Sequence, residues 1–203
     1  MNHFNVKCPY CVKNYRIKNE EVNEFFDSHV FWCKKERLPS SWLSLKKWQR
    51  IISEGGLPLV DGIFVRGHAL LKVFRGDELI NVQIAHNLVV NDGRALIIDR
   101  FQTGSPATAD YQAVGTGSTA ANAADTTLGT EIGTRVQGAL SQVPNAYTDR
   151  LISTFNAGNG TGAITEAGRF NASTSGVLYS RLVFSVVNKG ASDSLQITHD
   201  VTD

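Results

Sequence analysis

Apolar and polar positions follow two different rhythms along this 203-residue chain. Up to about residue 60 the spacing is helical. Val22, Phe26, His29 and Cys33 recur at steps of four, three and four, which places them on one helix face. Asn19, followed by Glu20 and Glu21, supplies a capping residue and acids at the positive end of the helix dipole. A second helix is predicted over 41–53, with Leu45, Trp48 and Ile52 on one side and Lys46, Lys47 and Arg50 largely outside.

Beyond residue 60 the period shortens to two. Residues 69–75 and 79–84 flank Gly76-Asp77 and predict a hairpin. Residues 177–187 alternate, with Leu178, Leu182, Phe184 and Val186 on one face and Tyr179, Arg181 and Ser185 on the other. A break at 188–193 precedes a further strand at 195–201, and one helix is expected over 91–101. Residues 102–127 and 154–163 are small and polar and read as long loops. Short strands between Gly and Asn turns predict an antiparallel β-sandwich rather than alternating β-α units.

The seam between the rhythms is Ser53-Glu-Gly-Gly-Leu-Pro58, where two glycines and a proline interrupt any regular element. The expected organisation is a zinc-finger-like α/β lobe at 1–38, a helical linker at 39–60 and a β-sandwich at 61–203. The fold class is therefore mainly β.

Composition sharpens this division. All three cysteines and all three tryptophans precede residue 60. Residues 1–60 hold ten Lys/Arg against six Asp/Glu, and residues 61–203 hold ten against thirteen. The formal balances are +4 and −3, so the front could face an acidic surface or present an ordinary basic, solvated one. A hydrophobic content of 42% supports a core. No run reaches the roughly 20 apolar residues that span a bilayer, and the first residues lack a secretory signal's apolar stretch. A soluble protein made in a reducing cytosol is expected, without a disulfide framework.

Four metal-binding side chains fall in two clusters. Cys8 and Cys11 flank Pro9-Tyr10, and His29 and Cys33 are four apart on the first helix. C-x2-C-x17-H-x3-C supplies the four ligands of a closed tetrahedral Zn2+ site, with a central spacing longer than the usual finger's. Val6 and Val12 around the first pair suit a short knuckle hairpin. A structural zinc would also explain how so small a lobe folds. CPYC is equally the active-site tetrapeptide of glutaredoxins, but only seven residues precede it, too few for the parallel strand that fold needs, and 31–37 is half charged. Buried, inert thiols are the third reading.

The back half carries an ordered series of motifs. Asn87-Leu-Val-Val-Asn-Asp-Gly-Arg-Ala-Leu-Ile-Ile is followed by Val114-Gly-Thr-Gly-Ser-Thr-Ala and Asp125-Thr-Thr-Leu-Gly-Thr-Glu-Ile. Then come Ile164-Thr-Glu-Ala-Gly-Arg-Phe-Asn-Ala, Val177-Leu-Tyr-Ser-Arg-Leu-Val-Phe and Asp193-Ser-Leu-Gln-Ile-Thr. Over about residues 66–203 this series resembles a family of tailed-bacteriophage virion proteins found among tail, fibre, neck and head-decorating components. The resemblance implies a β-sandwich used for assembly and carries over no catalytic residues. Arg169 stands where such proteins often have Leu, and His199 where they often have an aromatic or apolar residue; either could alter a contact surface.

Other candidate chemistry reads as local structure. Gly115-Thr-Gly-Ser lacks the Gly-Lys-Ser/Thr end of a phosphate loop and reads as a strand exit allowing close backbone approach. Asp125 is placed to cap a turn through Thr126 and Thr127, and Glu131 could pair with Arg135 at four-residue spacing. Glu166 reads as a lone carboxylate, and neither Asp149 nor His199 has an obvious serine partner of activated type. No catalytic constellation is expected, so the chain reads as no enzyme.

The expected role is a virion component, assembled in the bacterial host cytoplasm, that contacts other virion proteins and its own copies in a closed homo-oligomer, with no membrane partner. The alternatives are a nucleic-acid-binding module, using Lys34, Lys35, Arg37, Lys46, Lys47 and Arg50 with Trp42 and Trp48, and a CPYC thiol oxidoreductase.

Overall fold

The computed structural model describes residues 3–7, 14–18, 65–103, 107–143 and 147–202. The chain divides into two units, Met1–Phe64 and Val65–Asp203. In the first, β1 (His3–Lys7) pairs antiparallel with β2 (Asn14–Lys18), in a register that sets Val6 opposite Tyr15 and Lys7 opposite Asn14. The two helices predicted at 19–33 and 41–53, and the lobe boundary at 38, lie outside the described residues.

The second unit is mainly β. The predicted hairpin is present as β3 (Arg66–Arg75) and β4 (Glu78–Val89), turning at Gly76-Asp77. The predicted helix follows as α1 (Asn91–Thr103), with Asp92 in its first turn and Arg100 in its last, as the dipole favours. Then come β5 (Tyr111–Gly115), β6 (Glu131–Gln137), β7 (Ala139–Val143), β8 (Thr148–Phe155), β9 (Gly162–Phe170), β10 (Leu178–Lys189) and β11 (Asp193–Thr202).

Nine of these strands form one antiparallel sheet in the order β6-β5-β9-β10-β4-β3-β11-β8-β7. It is nearly closed. β4 pairs with β3 along most of its length, then with β10 through Leu88 and Val89. β6 and β7, at opposite ends of the order, are consecutive in the chain, with Gly138 alone between them. The ribbon 131–143 thus leaves β5 and joins β8.

Folding the sheet on itself brings distant alternations into one core. Leu71 and Val73 of β3 and Leu195 and Ile197 of β11 meet Val114, Ile164, Leu182 and Phe155, all essentially buried. Each such side chain contributes about 1.5–3 kcal/mol.

Three corrections to the periodicity concern this core. The stretch 102–127, expected to be loop, contains β5, whose Ala113 and Val114 are buried because β5 lies between β6 and β9. The loop expected at 154–163 shrinks to residues 156–161. Val186 is not on the apolar face of β10: the β9–β10 register shifts between Val183 and Val187, which turns Val186 outward and buries Val187. Tyr179 and Arg181 are buried as well, so the first half of β10 is covered on both faces.

Two carboxamides take the place of strand partners where backbone pairing is interrupted. Gln83, in the amide orientation that satisfies both groups, donates to the Ser185 carbonyl and accepts from the Ser185 N–H, each at 3.0 Å. Asn159 accepts from the Thr134 N–H at 2.8 Å and donates to the Thr134 carbonyl at 2.9 Å.

Candidate functional site

The four predicted zinc ligands, Cys8, Cys11, His29 and Cys33, lie outside the described residues, as do Lys34, Lys35, Arg37, Trp42, Lys46, Lys47, Trp48 and Arg50. The strands β1 and β2 bracket 8–13, the stretch that carries Cys8 and Cys11. Among the described residues no group of three or more His, Cys, Asp or Glu could hold a metal ion, and no helix is long and apolar enough to cross a membrane.

The main polar cluster of the second unit centres on Glu166, which is fully buried on β9. Its Oε1 accepts from the N–H groups of Gly117 and Thr130, both at 2.8 Å, and its Oε2 accepts from Gly129 N–H at 3.0 Å. Arg181 of β10 donates to the same Oε2 from Nε at 3.0 Å and Nη2 at 2.8 Å. Arg181 also donates from Nη1 to Asp125 at 2.7 Å and from Nη2 to the Thr119 carbonyl at 3.1 Å.

Glu166 is therefore no lone carboxylate. Burial pulls its pKa upward, but the N–H groups of Thr130, Gly129 and Gly117 and the Arg181 guanidinium outweigh burial and hold it below the ordinary value. Asp125 shows the same balance: burial raises it, while the Asn122 N–H and Arg181 bring it lower. Asp125 also caps its turn backwards, through Asn122 at 2.8 Å, and not through Thr126 or Thr127.

The strand-exit reading of Gly115-Thr-Gly-Ser explains its glycines. A Cβ on Gly117 would lie 2.4 Å from Glu166 Oε1, and one on Gly115 would lie 2.4 Å from the Thr130 carbonyl oxygen. Only glycine lets the loop 116–130 close over the carboxylate.

The Glu131–Arg135 pair forms, but on a strand. Arg135 donates from Nε at 2.8 Å and Nη2 at 3.0 Å to the two Glu131 oxygens. The β5–β6 register shifts between Gln112 and Val114, with Gly133 at φ 69, and this bulge brings the two side chains together. The Arg135 guanidinium carbon also lies 3.4 Å from the Phe170 ring centroid.

A second buried network surrounds His199. Gln112 Nε2 donates to the Gly168 carbonyl at 3.0 Å, which turns Gln112 Oε1 toward His199 Nδ1 at 3.1 Å. Nδ1 therefore carries the proton, and Nε2 accepts from Asn87 Nδ2 at 2.6 Å and Ser180 Oγ at 3.0 Å. Burial first, then the nearby Arg169 and His68, hold the His199 pKa well below its usual value. His199 has a serine neighbour, but Ser180 and His199 are both fully buried, closed off from any substrate. His199 alters no contact surface, because it is fully buried, while Arg169, 2% exposed, lines a cavity.

Arg169 leads outward to a cavity of about 300 Å³ beneath α1. Leu96, Ile97, Arg100 and Phe101 line it from the helix, and Leu140, Asp149, Arg169 and Tyr179 from the sheet. Arg169 donates from Nε to the Ala109 carbonyl and from Nη2 to Asp149 at 2.6 Å, with its guanidinium 5.1 Å from the Tyr179 ring centroid. Burial, reinforced by Asp149 and opposed by Arg169, pushes the Tyr179 hydroxyl up to about 12, so it stays protonated at neutral pH.

Comparison with protein-family models, curated proteins and solved structures finds no match.

Proposed function

We propose that this chain is a structural component of a tailed-bacteriophage particle that mediates protein–protein assembly. One observation carries the reading. Four of the six ordered motifs that resemble the virion family meet in a single clamp: Gly115 and Gly117, Asp125 with Gly129 and Thr130, Glu166, and Arg181. Buried ion pairs are a poor source of stability compared with apolar packing, but they fix one conformation. Here they hold the exposed loop 116–130 in one shape, which suits a contact surface. The nearly closed sheet is read as a β-sandwich with β4 and the ribbon 131–143 as its corners, repeated by cyclic symmetry in a homo-oligomer.

The front lobe is proposed to be a zinc-stabilised anchor held by Cys8, Cys11, His29 and Cys33. The antiparallel β1–β2 pair around 8–13 supports a knuckle. A thiol oxidoreductase motif would be followed by a helix, whereas residues 14–18 form a strand. Zinc would supply this lobe with folding energy.

Quantitative mass spectrometry of purified particles tests the proposal. The chain is expected at a fixed copy number per particle; its presence in infected cells and absence from particles would refute it.

A further inference from the structure

The cavity beneath α1 has a use that the clamp does not account for. Six large hydrophobic side chains are exposed among the described residues, and Phe101, Leu140 and Tyr147 gather around this cavity and the groove adjoining it. Phe101 is 73% and Tyr147 82% exposed, and Tyr147 holds φ at 44°, a region that bulky side chains rarely adopt. Leu140 lies on β7, an end strand of the sheet that pairs with β8.

The groove is also positive. Arg100 lines both the cavity and the adjoining groove, and Arg169 sits in the cavity wall among Ala109, Asp149 and Tyr179. Asp149 pairs with Arg169 at 2.6 Å, so Arg100 supplies the positive charge of the lining. Arg169 is 2% exposed, and its Nη1 has no hydrogen-bond partner among the described residues.

We propose that the groove between α1 and β7 receives an extended segment of a neighbouring virion protein in which apolar and acidic residues alternate. An apolar side chain fills the cavity between Leu96, Ile97 and Leu140. A carboxylate meets Arg100. The segment's backbone adds to the outer edge of β7, as in recognition by strand addition. The apolar surface continues past the cavity to Tyr147, which suits a polypeptide better than a small ligand. This inference rests on the assembly reading and adds to it the surface and the partner's chemistry.

The test uses the full chain and a fluorescent Leu-Asp-Leu-Asp-Leu-Asp peptide, followed by anisotropy. Saturable binding is expected, roughly tenfold or more weaker when Lys replaces Asp or Ser replaces Leu. Leu140→Ser and Arg100→Glu, both at exposed positions, should abolish binding while shifting the melting temperature by no more than a few degrees. No binding, equal binding of the three peptides, or binding indifferent to Arg100→Glu overturns the proposal. Self-association in sedimentation that Leu140→Ser abolishes would put a second copy in the groove and overturn it too. Particle mass spectrometry tests the virion reading separately, so the two failures are distinguishable.

Discussion

Arg181 reaches Glu166 from the adjacent strand, and the pair pins the loop 116–130 from below through three backbone N–H groups and the Thr119 carbonyl. Every oxygen of the buried carboxylate is satisfied, so each partner depends on the other. Replacing Arg181 leaves the Glu166 charge unpaired, and replacing Glu166 leaves Arg181 with Asp125 alone. Glu166→Gln or Arg181→Met should each destabilise the chain by about 3–5 kcal/mol in urea unfolding. The double variant should lose less than the sum. A loss under about 1 kcal/mol from the single variants would remove the clamp from this account.

The glycines over that carboxylate make a sharper case. Gly117→Ala forces a methyl into Glu166 Oε1 and should cost about 1–3 kcal/mol, with faster amide exchange across 116–130. Ser118→Ala, one residue on and exposed, should stay within about 0.5 kcal/mol. Equal effects at the two positions would contradict the close approach.

His199 predicts an acid dependence. Its folded pKa is depressed, so the native state keeps it neutral while the unfolded chain takes up a proton near pH 6.5. That contribution is complete above about pH 6.5 and shrinks as pH falls toward the folded value, by at most about 1.4 kcal/mol per pH unit. His199→Gln should flatten the stability profile between roughly pH 6.5 and 5. Glu166, also depressed, acts lower: its contribution holds above the usual carboxylate range and is lost as pH drops through its folded pKa. An unchanged slope in His199→Gln would show that His199 does not set it.

The carboxamide stitches are expected to hold locally. Asn159→Ala and Gln83→Ala should each cost about 1 kcal/mol, with faster amide exchange at Thr134 and Ser185 respectively. Protection unchanged at both amides would mean the sheet corners need no such support.

Much of the second unit was legible in the sequence. The β3–β4 hairpin stood out because Gly76-Asp77 separates two clean alternations, and α1 because Asn91 and Asp92 open an apolar run. β5 is marked in the sequence only by the strand exit at Gly115, because Tyr111–Gly115 offers only Ala113 and Val114 to the core, beside a buried Gln112. Val114 before two spaced glycines was the available signal. Alternation separates two faces of a strand, but it does not say whether the second is covered. Arg181 was therefore read as outward although a loop closes over it. Partners such as Glu166 and Arg181 depend on strand order, which local periodicity leaves open.

The zinc proposal has its own outcome. One equivalent of zinc should copurify with the chain, and chelation should unfold the unit Met1–Phe64 while Val65–Asp203 keeps its melting transition. Absence of stoichiometric metal would leave Cys8, Cys11, His29 and Cys33 without the assigned role.

A reconstruction of the purified particle with this chain located in density tests the central claim most directly. The account predicts repeated copies of the Val65–Asp203 unit seated against neighbouring subunits. A complete map in which every density is filled by other chains would contradict it.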